Sequence, residues 1–191
     1  MPQRILIVDA HPDAAPARLS HALAAAYAVG ARETGAEVRI VALGGWAGGF
    51  VRSAAEFGAP PDDPFIADAR AAIIWAEHIV FVFPLWLGAG PSLLRAFLEQ
   101  ISRAGFAASA GPAGPQANLK GRSARFIVTM GMPALAYRLM FGAHGVQAIA
   151  KSVLGLAGVA PVRLSLFGMI ETKGAAARAL DAGRRLGKAR R

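Results

Sequence analysis

The 191-residue sequence predicts a three-layer α/β domain, in which helices cover both faces of a doubly wound, five-stranded parallel sheet. Strand-like and helix-like segments alternate five times along the chain, as they do in parallel sheets with right-handed crossovers. Hydrophobic residues make up 54% of the chain and charged residues 17%, which is typical of a packed globular protein. The length suits one sizeable core, so we expect residues 1–191 to form a single domain.

The first predicted strand is a continuous apolar run, which is typical of a strand buried on both faces of a sheet. The five predicted strands lie at residues 5–8, 37–43, 78–83, 125–130 and 162–167. The predicted helices, which include segments with apolar or small residues at helical spacing, lie at residues 19–35, 64–76, 91–105, 145–156 and 171–188.

Turn-forming residues separate these segments. Gly35 and Gly105 end the first and third helices, and Asp62 or Asp63 caps the second. Pro91 fits the first turn of the third helix. Two stretches rich in Gly and Pro are predicted to be a long loop and a flexible connection, at residues 44–64 and 111–115.

The chain has no cysteine, which excludes disulfides, thiolate catalysis and cysteine metal sites, and we expect no metal centre. This composition suits a reducing compartment, so we expect a cytoplasmic protein without a signal peptide. The longest stretch without Asp, Glu, Lys or Arg is the 17-residue run 78–94. Because Pro84 and Gly88 interrupt it and a span needs about 20 residues, we expect at most peripheral membrane association.

The formal net charge is +9, and the segment from about residue 171 to 191 is strongly basic. We interpret this segment as a solvated helix face and tail, with an anion-attracting surface as the alternative. No aromatic residues are interleaved with the basic ones, so we expect no nucleic-acid partner. The basic residues are Arg178, Arg184, Arg185, Lys188, Arg190 and Arg191.

Ligands bind parallel sheets beyond the carboxyl ends of the strands, where the strand order reverses, and this selects three loops. The loop after Val8 lacks the glycines of a dinucleotide fingerprint and the Gly-Lys-Ser/Thr of a P-loop. It offers a helix N-terminus with His11, Arg18 and Ser20, which together suit a phosphate monoester. A first helical turn with a solvated Arg18 is the alternative interpretation.

The other two loops follow Phe83 and lie around Thr129. Residues 84–91 are apolar yet rich in turn formers, which fits either a flat aromatic ligand covered by Trp86 or a buried turn. Gly131 lets backbone amides approach a ligand. Tyr137 and His144, farther along, are donors that either face such a ligand or serve the fold.

These residues resemble the flavodoxin-fold NAD(P)H:quinone oxidoreductases, a family that includes DT-diaphorase-like enzymes, bacterial modulators of drug activity and ancillary subunits of potassium-efflux systems. The resemblance covers nearly the whole chain. It rests on His11-Pro12, on residues 84–91 leading into Leu94-Arg95-Ala96-Phe97, on Gly105-Phe106-Ala107, and on Val128-Thr129-x-Gly131 with Tyr137.

The resemblance implies a flavodoxin-like sheet order of 2-1-3-4-5 and a bound flavin, FMN rather than FAD. It implies that the flavin phosphate is held by His11, Arg18, Leu19 and Ser20. It implies that the isoalloxazine is lined by Pro84, Leu85, Trp86, Leu87, Thr129, Met130, Gly131 and Met132. Tyr137 and His144 would be the catalytic residues, which stabilise charge on the reduced ring.

The implied function is ping-pong transfer of a hydride from NAD(P)H through flavin N5 to a quinone-like acceptor, in a cytoplasmic homodimer. The apolar excess agrees with burial of a further surface. The alternatives are a flavin-binding regulatory subunit of a membrane transporter, a flavodoxin-like electron carrier, and a reductase of azo compounds or free flavin. The net charge of +9 argues against the carrier, which is usually acidic.

The sequence departs from the family pattern in three places. Trp86 falls one position early in the usual Pro-x-x-Trp, and Leu87 takes its place. Met130 and Met132 stand in the usual Thr-Thr-Gly-Gly, so one glycine is lost, and the first loop is longer than in the efflux subunits. These departures concern the substrate pocket and the phosphate contacts.

Overall fold

A five-stranded parallel sheet forms the centre of the structure, a computed structural model that describes residues 2–112 and 114–189. In the order in which they lie side by side, its strands are β2 (Glu37–Ala42), β1 (Arg4–Asp9), β3 (His78–Pro84), β6 (Ser123–Thr129) and β7 (Val162–Phe167). All four strand pairs are parallel. Counted within the sheet alone, this is the predicted order 2-1-3-4-5, so the predicted fold class is confirmed.

Helices cover both faces of this sheet. They are α1 (Leu19–Arg32), α2 (Ala54–Gly58), α3 (Pro64–Trp75), α4 (Ser92–Ser102), α5 (Ala134–Met140), α6 (His144–Ala148) and α7 (Ala175–Ala189). A 3₁₀ turn at Arg103–Gly105 follows α4, and a π-helix at Ile149–Gly155 continues α6. Within the described ranges, no helix combines the length and the apolar character needed to cross a bilayer.

Alternation along β1 shows why Ile5 to Val8 are apolar throughout. Ile5 and Ile7 pack into a core with α1 and α7, whereas Leu6 and Val8 pack into a second core with α3 and α4. All four side chains are fully buried. A strand buried on both faces has no polar side, which explains the continuous apolar run.

The predicted long loop 44–64 is not structureless, because it contains α2. The Ser53 side chain accepts the Glu56 N–H at 3.0 Å and caps this helix. The buried Arg103 side chain donates to the Glu56 carbonyl at 2.9 Å and to the Pro60 carbonyl at 3.1 Å, so it anchors the segment to the end of α4. The Asp63 cap of α3 is confirmed, since its carboxylate accepts the Phe65 N–H at 2.9 Å.

The flexible connection predicted at residues 111–115 is instead the turn of an antiparallel hairpin, whose Ala113 lies outside the described residues. Its strands are β4 (Ala108–Gly111) and β5 (Gly114–Ala117). The sequence did not predict this hairpin, because Gly and Pro occupy its strands as well as its turn.

Two helix predictions in the last third need correction. The helix predicted at 145–156 begins at His144 and changes from α to π geometry at Ile149, and α5 precedes it unpredicted. The last helix begins at Ala175 instead of Glu171, because Gly174 has φ 76° and cannot be part of an α-helix.

The basic helix α7 packs along α1. Glu33, at the end of α1, forms ion pairs with Arg184 and with Lys188, the latter at 3.0 Å. Arg185 pairs with Asp181 within α7. Part of the predicted solvated basic face therefore lies along an acidic partner, while Arg190 and Arg191 lie outside the described residues.

Candidate functional site

Three loops meet at the carboxyl edge of the sheet. We call residues 10–18 the first loop, residues 85–91 the second and residues 130–133 the third. The Leu85 N–H donates to the Thr129 carbonyl at 2.7 Å, which joins the second loop to β6. The rings of His11 and Trp86 meet edge to face, with centroids 5.9 Å apart, and join the first loop to the second. The structure therefore brings together the three segments that the sequence selected.

The first loop is organised around Asp13. Its carboxylate accepts the Ala15 N–H at 2.8 Å and the Arg18 Nε–H at 2.7 Å. The hydrogen bond from Ala15, followed by that from Arg18, holds the pKa of Asp13 below its usual range. Arg18 is thus tied into the loop, with its side chain half exposed, and it is not simply solvated.

The predicted phosphate-binding residues lie where α1 begins. The first backbone N–H groups of α1, at Leu19 and Ser20, have no intrahelical acceptors, and Arg18 at the N-cap position has no side-chain acceptor with which to cap them. Ser20 is buried in the first turn, and His11 is buried in the loop above it. A helix end of this kind attracts anions through its free N–H groups and its dipole.

Sequence reasoning missed Asp9 and His21, two polar side chains that lie beside the start of α1. The His21 Nδ1 lies 2.5 Å from a carboxylate oxygen of Asp9, and its Nε2 lies 2.9 Å from the Asp13 carbonyl. Burial alone lowers the pKa of His21, but its hydrogen bonds to Asp9 and to Asp13 outweigh burial, and the pKa is raised. Burial lowers the pKa of His11. The only sequence signal for the pair of Asp9 and His21 was the position of Asp9 at the end of a buried strand.

The second loop ends in a rigid two-residue turn. Trp86 and Ala89 exchange backbone hydrogen bonds of 2.9 and 3.0 Å. Between them, Leu87 has φ 49° and Gly88 has φ 77°, the left-handed pair of a type I′ turn. Leu87 is fully exposed and Trp86 is about half exposed, whereas Pro84 and Leu85 are partly buried. An indole therefore projects to solvent from a fixed backbone.

The predicted catalytic residues occupy different environments. Tyr137 is 1% exposed, and its hydroxyl donates to the Gly88 carbonyl at 2.8 Å, so it contacts the main chain of the second loop. Burial raises the pKa of Tyr137. His144 is exposed at the start of α6. Gly145 packs so closely on the same turn that a Cβ there would lie 2.2 Å from the Gly88 carbonyl oxygen.

The third loop presents mainly backbone. Thr129 and Met130 are buried, and the Met130 N–H donates to the Phe167 carbonyl at 2.9 Å. Gly131 is exposed, and a Cβ on it would have Glu171 as its nearest neighbour, at 3.6 Å. Met132 is partly buried. Of the four predicted residues, Gly131 and Met132 are thus the two with surface to offer a ligand.

Two grooves lie near these loops. One, of about 430 Å³, is bordered by the first loop, by His21 and by the Gly44-Gly45 segment that follows β2. The other, of about 680 Å³, runs between α5 and β7 and is lined by Leu135, Leu139 and other side chains. Over residues 2–112 and 114–189, no three His, Asp or Glu side chains are grouped so as to hold a metal ion.

Known proteins share this architecture. A family model described as the flavodoxin-like fold matches residues 3–188. Over 78 residues the chain is 40% identical to the glutathione-regulated potassium-efflux system ancillary protein KefG of Escherichia coli O6:K15:H31. That match covers 40% of this chain and 40% of KefG, so it spans well under half the length of either protein.

Solved structures of similar shape cover nearly the whole chain. The NAD(P)H:quinone oxidoreductase from Methanothermobacter marburgensis superposes with a TM-score of 0.80 at 18% identity, over 100% of both chains. The FMN-dependent NADH-azoreductase of Bacillus anthracis str. Ames Ancestor, in complex with FMN, superposes with a TM-score of 0.70 at 15% identity. The superposition covers 97% of this chain and 99% of that one. At these identities the likeness establishes a shared fold.

Proposed function

Because the chain belongs to the flavodoxin-like fold family, we propose that it is a flavin-dependent NAD(P)H:quinone oxidoreductase that holds FMN at its three loops. The observation that carries this proposal is the position of the loops. The first loop follows β1 and the second follows β3, on either side of the point where the strand order reverses. An uncapped helix end and an exposed indole converge there.

The residues of the first loop fit a flavin phosphate. The free N–H groups at Leu19 and Ser20 and the α1 dipole provide the attraction for an anion. The imidazole of His11 lies against the same loop and extends it towards Trp86. A phosphate monoester suits this cradle, and we propose FMN as the cofactor, with FAD as the alternative.

The second and third loops fit a flat ring. Trp86 offers an aromatic surface, and Leu87 an apolar one, on a turn that needs no rearrangement. The exposed Gly131 leaves space for backbone amides to approach the polar edge of the ring. We propose that Pro84, Leu85, Thr129 and Met130 support these contacts from beneath.

When bound, the flavin supplies hydride chemistry between NAD(P)H and the acceptor. The protein positions the flavin. Tyr137 holds the second loop in place through its hydrogen bond to the Gly88 carbonyl. His144 is exposed, and we propose that it stabilises the charge that develops on the flavin ring. Because no side chain forms or breaks a covalent bond in this reaction, we expect that no single side-chain substitution abolishes activity.

The test begins with the colour of the purified protein. We expect it to be yellow and to release FMN on heating, and we expect the FMN-loaded protein to oxidise NADH or NADPH with a quinone as acceptor. A colourless protein that takes up neither FMN nor FAD contradicts the proposal. Azo dyes and free flavin belong in the same acceptor panel, since one relative of the same fold is named an azoreductase.

A second function is favoured by one observation, the match to KefG, which is named as an ancillary protein of a potassium-efflux system. We infer from it a flavin-binding regulatory subunit of a membrane transporter as the alternative. Co-purification of the tagged chain with a membrane transporter, and a change in ion efflux on its deletion, would support this alternative over a free-standing enzyme.

A further inference from the structure

The contacts of His21 determine its protonation. The Asp9 carboxylate oxygen at 2.5 Å from Nδ1 and the Asp13 carbonyl oxygen at 2.9 Å from Nε2 can only accept hydrogen bonds. Each ring nitrogen of His21 must therefore carry a proton. With both nitrogens protonated, the His21 ring is a positively charged imidazolium.

The contacts of His11 indicate the opposite state. The Asp13 N–H lies 3.1 Å from His11 Nδ1, and a backbone N–H can only donate, so this nitrogen accepts. A ring nitrogen that accepts this N–H carries no proton, so it donates nothing to the Asp13 carbonyl, which lies 3.1 Å from it. His11 is therefore neutral, with its proton on Nε2. Two imidazoles with centroids 5.4 Å apart thus carry different charges.

Resting on the proposed function, we propose that His21 is the positioning residue of the flavin-phosphate site. As an imidazolium it ties Asp13 to the end of β1, and the first loop loses affinity for the flavin phosphate when His21 loses its proton. His21 is assigned no contact with the flavin. It acts through Asp13, whose carboxylate holds Ala15 and Arg18 in place.

Loss of one proton removes one of the two bonds. Neutral His21 has a single N–H, so it can donate either to Asp9 or to the Asp13 carbonyl, and not to both. Without its bond to His21, Asp13 keeps hydrogen bonds to His11, Ala15 and Arg18, all of which belong to the first loop itself. The positive charge beside the anion site is lost at the same time.

The surroundings of His21 set the pH at which this happens. The ionisable groups facing it are Asp9 from β1 and His11 and Asp13 from the first loop, while Arg18 acts on His11 and Asp13. From the β2 side, the groove wall consists of Ala42, Gly44 and Gly45, which carry no charge. Burial lowers the pKa of His21, but the hydrogen bonds to the Asp9 carboxylate and the Asp13 carbonyl, with the charges of both carboxylates, raise it above its ordinary value of 6.5. The protonated form is therefore kept to a higher pH than in a free imidazole and is lost as the pH rises.

The test compares FMN with riboflavin, which has the same ring and no phosphate. Affinities of the wild-type protein for both flavins are measured by fluorescence quenching from about pH 7 to about pH 9.5, where the FMN phosphate stays dianionic. We expect the FMN dissociation constant to rise about tenfold or more over this range, and that for riboflavin to change little. Any ionisation of the ring affects both flavins alike.

Two variants separate charge from shape. His21→Arg keeps a permanent cation with several donors, so its FMN affinity should stay constant with pH. His21→Gln should bind FMN about tenfold more weakly than wild type at pH 7, with riboflavin affinity retained. Circular dichroism at each pH confirms that the fold is intact.

Three outcomes overturn the proposal. FMN affinity of the wild type that does not change with pH removes the role of His21 while leaving the flavoprotein proposal in place. A parallel fall for FMN and riboflavin shows a general loss of structure instead of a phosphate effect. Failure of both flavins to bind at any pH overturns the proposed function itself, and this inference with it.

Discussion

Tyr137 and Tyr27, the two tyrosines of the chain, have hydroxyl groups in opposite situations. Tyr137 donates to the Gly88 carbonyl at 2.8 Å. The Tyr27 hydroxyl is buried with no hydrogen-bond partner among the described residues, and burial raises the pKa of Tyr27 to about 12. One hydroxyl therefore fixes a loop of the candidate site, and the other contributes no hydrogen bond within residues 2–112 and 114–189.

We predict that Tyr137→Phe lowers the free energy of unfolding by about 1–2 kcal/mol, because the buried hydrogen bond to Gly88 is lost. FMN affinity should fall with it, since the turn that carries Trp86 loses its tether. Tyr27→Phe is the matched control, and because it removes a buried hydroxyl without a hydrogen-bond partner it should leave the free energy of unfolding unchanged or raise it. Urea denaturation and FMN titration of both variants measure these effects, and equal losses in the two variants would contradict this interpretation.

At the residue scale, the sequence predicted positions better than contacts. Trp86 and Gly131 could be placed at the sheet edge, because each follows a buried strand. The pair of Asp9 and His21 could not be predicted, because its two members are separated by a loop whose path no motif specifies. The hydrogen-bond partner of the Tyr137 hydroxyl likewise could not be predicted, since Tyr137 lies in α5 and Gly88 lies in the second loop.

At the scale of elements, α1 and α7 approach each other closely along a line of glycines. A Cβ on Gly187 would lie 2.1 Å from the Tyr27 carbonyl oxygen, and one on Gly30 would lie 2.0 Å from the Arg184 carbonyl oxygen. Gly183, on the same helix, has only the flexible Leu23 side chain within 3.1 Å. Backbone thus packs against backbone where the basic helix α7 lies along α1.

We predict that Gly187→Ala lowers the free energy of unfolding by about 2–3 kcal/mol, because neither helix backbone can yield. Gly183→Ala is the control, since Leu23 can move aside and alanine favours the helix by about 1 kcal/mol. It should leave stability within about 1 kcal/mol of the wild type. Urea denaturation at pH 7 distinguishes the two, and similar values for both variants would show that the helices can separate.

The central strands β1, β3 and β6 were predicted because burial on both faces makes them apolar, as in Ile5 to Val8, whereas the edge strands β2 and β7 are exposed or only partly buried. Helix α5 was missed because it has only seven residues and exposes Leu135 and Leu139, which conceals the pattern of a surface helix. The hairpin β4–β5 was missed because turn residues fill it. Short elements thus carry too few residues for a period to emerge.

At the scale of the whole molecule, the exposed apolar residues of α5 lie beside the groove next to β7. Leu135, Leu139 and Met140 are 64%, 75% and 77% exposed. Together with the apolar composition, this surface supports a homodimer as our proposal, in which a second copy covers α5.

We predict that light scattering gives about twice the chain mass of 19.8 kDa at micromolar concentration. Leu139→Glu should give a monomer, because a charge on this surface opposes its burial. Ile74→Glu, at an exposed site on α3, is the control and should remain dimeric. A monomeric wild type, or a dimer that survives Leu139→Glu, would exclude this surface.

At this scale the alternation of strands and helices was enough to predict a parallel sheet, and the family resemblance supplied its order. The partner surface was not predictable in detail, because exposure at α5 depends on a helix that the sequence did not indicate.

The three loops have a kinetic consequence, since they follow β1, β3 and β6, which are far apart along the chain. They come together only when these three strands have paired, and contacts between distant segments form slowly because large loops must close. A cofactor captured by all three loops would therefore bind after β1, β3 and β6 have paired and would not template their pairing. In a refolding experiment, flavin quenching should then lag behind the recovery of secondary structure.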